Sequence, residues 1–173
     1  AIEPVCGNMG VIPASPEFLA LCRELCTTYG ACLLFDEVMT GFRVHKNGAQ
    51  GLYGIQPDVT CLGKVIGGGL PCAAYGGRAD IMDCLAPIGD VYQAGTLSGN
   101  PIAMAAGLSM MSLIEDYGVF ERAEDNANYL VKGLLTLQKA SPIPIQVQHV
   151  GTMFTIFFSK KPIHSLADVN ECD

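Results

Sequence analysis

The 173-residue chain carries 10 Lys and Arg against 17 Asp and Glu, a formal net charge of −7, and half of it is hydrophobic while only 16% is charged. No basic cluster exceeds Lys160–Lys161, which argues against nucleic acid and anionic membrane as partners. The longest mostly apolar run, Pro101 to Ile114, is interrupted by Gly and Ser and is too short to span a bilayer.

The opening 1-AIEPV-5 reads as a strand end, followed by the loop 6-CGNMGVIPAS-15. Ser15 then suits an N-cap, Pro16 the first helical position and Glu17 the first turn. Phe18, Leu21, Cys22, Leu25, Cys26 and Tyr29 recur at helical spacing, and Gly30 closes the helix. The run 31-ACLLFD-36 has the continuous apolar character of a strand buried on both faces. A Gly-rich loop is expected from Gly41 to Gly54, then short strands at 57-PDVTCLG-63 and 72-CAAYGG-77, with a short helix from Ala79 to Leu85. Asn100 caps and Pro101 starts a long helix to Asp116, a second amphipathic helix runs from Val119 to about Ala140, and strands follow at Ile145–His149 and Thr152–Phe158. Strand, helix and strand in this order predict an α/β fold with a mainly parallel sheet.

The length supports one substantial core. Sparse charge implies that a partner subunit, or the rest of a longer chain, covers part of the surface. Ala1 at the start and Asp173 at the end suggest a fragment or a processed product. No basic, apolar, then small-residue pattern opens the chain, so no signal peptide is expected. Eight cysteines lie without C-x-x-C spacing, mostly in apolar segments, where they act as small hydrophobes in a reducing compartment. His45, His149 and His164 are far apart in sequence, and no metal site is expected.

In an open α/β sheet, chemistry collects at the carboxyl ends of the strands. Asp36 ends one strand and Lys64 another. If the first strand continues, Asp36 and Val38 point the same way, offering a carboxylate for a protonated ring nitrogen and a branched side chain for a ring face. A helix cap or structural ion pair for Asp36, and plain core for Val38, explain these two residues equally well. A partly desolvated lysine has a neutral amine able to form a Schiff base, and the glycines after Lys64 would let a bulky cofactor or another backbone approach. A solvated loop lysine is the competing reading of Lys64. The G-x-x-x-x-G-K-[ST] phosphate loop fails, with Asp58 at its first position and Val65 after the lysine, and G-x-G-x-x-G fails as well. The segment 94-AGTLSGNP-101 offers the Thr96 and Ser98 hydroxyls and backbone N–H groups to a phosphate, or it is simply a helix-capping loop. An aspartate and a lysine at neighbouring strand ends match what pyridoxal phosphate requires.

The runs 35-FDEVMTGFR-43, 61-CLGKVIGGGLPCAAYGGRADIM-82 and 92-YQAGTLSGNPIAMAAG-107, with 2-IEPVCGNMGVIP-13, resemble the glutamate-1-semialdehyde 2,1-aminomutases, members of the class III aminotransferase group. The resemblance implies part of the large domain of a fold-type I pyridoxal-phosphate transferase plus the start of its α+β small domain. Residues 1–115 would be the second half of the cofactor-binding domain, and residues 116–173 the connecting helix and the beginning of the small domain. Lys64 would bond the cofactor and shuttle protons, Asp36 would pair with its ring nitrogen, and Val38 would pack on the ring. Asn8 would bond near the ring hydroxyl or the substrate, while Thr96 and the backbone around Gly95 would reach the cofactor phosphate of the neighbouring subunit in a homodimer. The implied reaction is isomerisation of glutamate-1-semialdehyde to 5-aminolevulinate, a tetrapyrrole precursor, with the cofactor cycling through its pyridoxamine phosphate form; the alternatives are another class III aminotransferase with an external amino acceptor, or a non-catalytic protein of the same fold. A bacterial cytoplasm or plastid stroma would house it. Family members are more than twice this long, so the chain alone is expected to be inactive and poorly soluble.

Overall fold

The computed structural model describes residues 1–116 and 118–173. The chain opens with Ile2 paired parallel to Phe35, then a small antiparallel pair, β1 (Val5–Cys6) and β2 (Ile12–Pro13). Helix α1 (Pro16–Tyr29) follows as the sequence predicts. Ser15 Oγ accepts the Phe18 N–H at 3.2 Å, Pro16 is first, and Gly30 closes the helix at φ 65°. The face of α1 that carries Leu19 packs on Leu33 and Phe35, with Cys22 and Cys26 filling its edges. These cysteines behave as the small hydrophobes the sequence predicts.

The central sheet has three strands. β3 (Leu34–Asp36) pairs parallel with β4 (Val59–Leu62), and β4 pairs antiparallel with β5 (Ala74–Gly77). With Ile2 beside Phe35, the arrangement is parallel except at its last strand. β3 is shorter than the predicted 31–36 run. Its neighbours are Ile2 on one side and β4 on the other, and the Leu33 N–H goes to the Asp58 side chain instead of a strand partner.

The expected loop from Gly41 to Gly54 contains a helix, α2 (Gly48–Tyr53). Its glycines hide it from a reading by propensity, and its cap comes from a distant residue: the Glu37 carboxylate accepts the Ala49 N–H at 2.5 Å and the Gln50 N–H at 3.1 Å. After β4 the chain makes one 3-10 turn, Lys64–Gly67.

Following β5 and the short α3 (Ala79–Met82), helix α4 (Pro101–Asp116) begins where Asn100 Oδ1 accepts the Ile102 and Ala103 N–H groups. Ala103 is buried. A Cβ on Gly107 would lie 2.8 Å from the Ile66 carbonyl oxygen, and one on Gly68, at φ 57°, 3.2 Å from that of Ala106. Of the glycines after Lys64, Gly68 therefore admits the backbone of α4, one of the two occupants expected for them.

Helix α5 (Val119–Ala140) leads to the antiparallel pair β6 (Gln146–Val150) and β7 (Met153–Phe157), and α6 (Leu166–Val169) follows. Met153 enters a core cluster with Val5, Val11, Val44 and Ala49, and Phe157 joins Ile12 and Ile163. The division expected between residues 115 and 116 adjoins Tyr117, which lies outside the described residues. No helix among the described residues is long and apolar enough to cross a membrane.

Candidate active site

Asp36 and Lys64 lie at the same end of neighbouring parallel strands. Register pairs Asp36 with Cys61 across β3 and β4, and Cys61 with Tyr75 across β4 and β5. Paired residues share a face, so Asp36, Cys61 and Tyr75 form a row on one side of the sheet. Burial pushes the Cys61 thiol upward, and the Asp36 charge beside it adds to the shift.

The strand does not continue to Val38 as expected. It stops at Asp36, whose Oδ1 accepts the Val38 N–H at 3.0 Å, and the chain turns. Asp36 and Val38 are thus brought together by a side-chain-to-backbone bond, not by strand alternation. Val38 then faces β4: a Cβ on Gly63 would lie 3.3 Å from Val38 Cγ1. That contact sets Val38 against the residue that immediately precedes Lys64.

Lys64 is exposed and has φ 47°. A non-glycine residue in the left-handed region carries about 1–3 kcal/mol of strain and persists only where its surroundings hold it there. The hold is visible on both flanks. Gly63 is buried against Val38, and the turn after Lys64 is fixed by the Gly68 N–H to Val65 bond and by α4 against Ile66. Lys64 makes no ion pair among the described residues.

A cavity of ≈ 540 Å³ opens on the Asp36 face, lined by Val38, Cys61, Tyr75, Gln93, Leu97 and Ser98, among others. Its volume is in the range of small-molecule sites. The segment 94–101 closes one side with two tight turns, where the Gly95 oxygen accepts the Ser98 N–H at 2.9 Å and the Leu97 oxygen accepts the Asn100 N–H at 3.1 Å. Ser98 and Gly99 line the cavity, whereas Gly95 and Thr96 are exposed outside it.

Asn8 sits in the turn between β1 and β2, exposed, beyond the end of β3 that carries Asp36. Its hairpin is clamped on both sides. A Cβ on Gly7 would lie 2.9 Å from Met39 Cβ, and Phe157 fills the space against Gly10. The structure thus gathers Asp36, Val38 and Lys64 at one edge, with Asn8 beyond it, and leaves Gly95 and Thr96 facing outward. Among the described residues, no group of three or more His, Cys, Asp or Glu side chains is arranged to hold a metal.

Two features escaped the sequence reading. Glu37, between Asp36 and Val38, is wholly buried and bonded to Thr40, Ala49 and Gln50. Its signal was present in the acidic pair Asp36–Glu37, because alternation sends neighbouring side chains to opposite faces. At the other end of the sheet, buried Asp58 accepts the Leu33 N–H at 2.6 Å and pairs with Arg23 at 2.8 Å and Arg78 at 3.0 Å. The Leu33 bond and the two guanidinium groups hold its carboxyl down at about 2, against the cost of burial.

The class-III aminotransferase family profile matches residues 1–171. The chain belongs to the class-III aminotransferases. It is similar to an omega-transaminase from Sphaerobacter thermophilus at 36% identity and a TM-score of 0.86, over 98% of this chain and 38% of that one. A solved transaminase with PLP bound matches at 30% identity and a TM-score of 0.84, over 96% of this chain and 40% of its own. A lysine-to-alanine variant of a glutamate-1-semialdehyde-aminomutase from Pseudomonas aeruginosa PAO1, in complex with PMP, matches at 25% identity and a TM-score of 0.83, over 99% and 40%. This aminotransferase chain therefore spans about two fifths of the length of these relatives, and its α/β architecture is theirs.

Proposed function

We propose that this chain carries the anchoring and ring-binding residues of a pyridoxal-phosphate enzyme that moves amino groups. The observation that carries the reading is Lys64, held at φ 47° at the end of β4, beside Asp36 at the end of parallel β3. The residues fit the cofactor: Val38, Cys61 and Ser98 line a cavity of suitable volume, Asp36 is in register with Cys61 on that face of the sheet, and Lys64 follows β4 at the same strand end. Bound pyridoxal phosphate would supply an electrophilic carbon for an amino group and a ring that draws electrons from the neighbouring carbon. Lys64 Nζ would anchor it and, once released, would serve as the base that takes and returns the proton at the amino-bearing substrate carbon. The Asp36 carboxylate holds a proton on the ring nitrogen, and Val38 covers one ring face and excludes water from it.

The finer reading is isomerisation of glutamate-1-semialdehyde to 5-aminolevulinate by intramolecular amino transfer. It is supported by the runs 35–43, 61–82 and 92–107, above all by 95-GTLSGNP-101. Thr96 then serves the phosphate of the neighbouring subunit in a homodimer. Its exposure, and that of Tyr92 and Ile102 on either side of it in the sequence, support that assignment. Residues 1–115 belong on this reading to the cofactor-binding domain and 116–173 to the connection and small domain, in a bacterial cytoplasm or plastid stroma.

The second reading is an aminotransferase with an external acceptor, favoured by the higher identity to the omega-transaminase. The full-length protein that contains this chain, given glutamate-1-semialdehyde and no keto acid, forms 5-aminolevulinate if it is the aminomutase. Product only after a keto acid is added would select the second reading. Absence of any bound-cofactor absorbance would sink both.

A further inference from the structure

We propose that Glu37 is a positioning residue for the cofactor-binding edge, setting where Asp36, Val38 and Lys64 stand relative to one another. The inference rests on the pyridoxal-phosphate reading above.

Every polar group of Glu37 is engaged. Its N–H donates to the Cys61 oxygen at 2.9 Å, which extends the β3–β4 ladder one residue past the strand end and towards Lys64. Its carbonyl oxygen accepts the Gly41 N–H at 2.8 Å, which closes the turn after Val38. Its carboxylate accepts the Thr40 hydroxyl at 2.9 Å, the Ala49 N–H at 2.5 Å and the Gln50 N–H at 3.1 Å. The residue thus joins β4, the 37–41 turn and the start of α2. The two flanking residues have no comparable set: Asp36 Oδ1 takes one backbone N–H, from Val38, and Val38 touches Gly63.

Helix capping alone does not require this residue. Burying a carboxylate carries a large desolvation cost, and an exposed Ser or Asn at the helix boundary would cap α2 at far less. No cationic side chain pairs with Glu37 among the described residues. Compensation comes from backbone donors at the start of α2. The donors are kept close by Gly48, at φ 66°, where a Cβ would lie 2.7 Å from Glu37 Oε1. A buried carboxylate retained against its cost, one residue from the ring-nitrogen acid, is the kind of local expense found where a site must be rigid.

The test uses the full-length protein and pyridoxamine phosphate as probe, which binds without a covalent link to Lys64. Three variants are compared: Glu37→Gln, Thr40→Val and Asp58→Asn. The last disrupts an equally buried carboxylate at the far end of the same sheet. Dissociation constants are read by fluorescence titration, the ring absorbance is followed against pH, and melting temperatures are measured alongside.

We expect Glu37→Gln to weaken pyridoxamine phosphate about tenfold or more. Its absorbance transition should also move, because a displaced Asp36 holds the ring proton less well. Asp58→Asn should lower the melting temperature at least as much yet leave affinity within about twofold, as distant sites act independently. Thr40→Val removes one donor to the carboxylate and should give a smaller change in the same direction, and it serves if Glu37→Gln does not fold. Unchanged affinity and absorbance in the folded Glu37 or Thr40 variant would overturn the proposal. So would an affinity loss in Asp58→Asn of the same size. If the wild type fails to bind pyridoxamine phosphate, the failure belongs to the functional reading instead.

Discussion

The two ends of the central sheet hold similar groups in opposite conditions. At the amino end of β4, Asp58 is buried and satisfied by Leu33, Arg23 and Arg78, all from this chain. At the carboxyl end, Asp36 is half-buried and takes a single backbone N–H, while Lys64 is exposed and strained. Charges that stabilise a fold are paired internally. Charges left without an internal partner, on a backbone under strain, are available to a ligand. A cavity at each end does not separate them, since one of ≈ 590 Å³ lies beside Arg23, Asp58 and Arg78. The state of the charges does.

The contrast breaks most sharply at Lys64. In the full-length protein, Lys64→Ala should lower kcat by about a thousandfold or more if Lys64 is the proposed anchor and base. The melting temperature of the cofactor-free form should barely move. A folded variant that keeps its turnover would erase the functional meaning of that edge.

Asp58→Asn should do the reverse. Removing one partner of a buried ion pair costs about 3 kcal/mol, here moderated because Arg78 is half-exposed and can turn to water. Urea unfolding would show the loss, with kcat per folded molecule unchanged.

The same carboxylate makes stability depend on acid. Its pKa falls from an ordinary 3.8 to about 2 on folding, so the folded state binds fewer protons. Its contribution of about 2 kcal/mol is present above the unfolded value. It is lost as pH falls from 3.8 through about 2. Denaturation midpoints of wild type and Asp58→Asn should therefore converge across that window, and a constant gap would contradict the assignment.

The smallest effect sharpens the strain at Lys64. Glycine tolerates φ 47° where alanine does not, so in the cofactor-free protein the Gly variant at position 64 should exceed Lys64→Ala in stability by about 1 kcal/mol. Equal stabilities would mean the left-handed backbone there carries no strain.

Most of the elements are legible in the sequence. The Ser15–Pro16 start and Gly30 stop of α1, the Asn100 cap of α4, and the extents of α5, β6 and β7 are local signals, and local hydrogen bonds realise them. Helix α2 was not legible. Its two glycines argue against a helix, and its cap is contributed from twelve residues away by Glu37. The Asp36–Val38 relation was anticipated for the wrong reason, because an aspartate at a strand end can bond the second following N–H and turn the chain. Arg23, Asp58 and Arg78 are separated by 35 and 20 residues, and nothing in their local sequence couples them.

The sequence by itself determined the residue types at the strand ends, the boundaries of α1, α4 and α5, and the family, because these follow from local chemistry and motif order. Only the tertiary structure decided which carboxylate is structural and which is free. Asp36, Glu37 and Asp58 are the same functional group in three settings, and the difference lies in donors that distant segments bring to two of them. It also decided what occupies the space beside Gly68: the backbone of α4, whose close approach helps hold Lys64 in a conformation its own sequence does not favour.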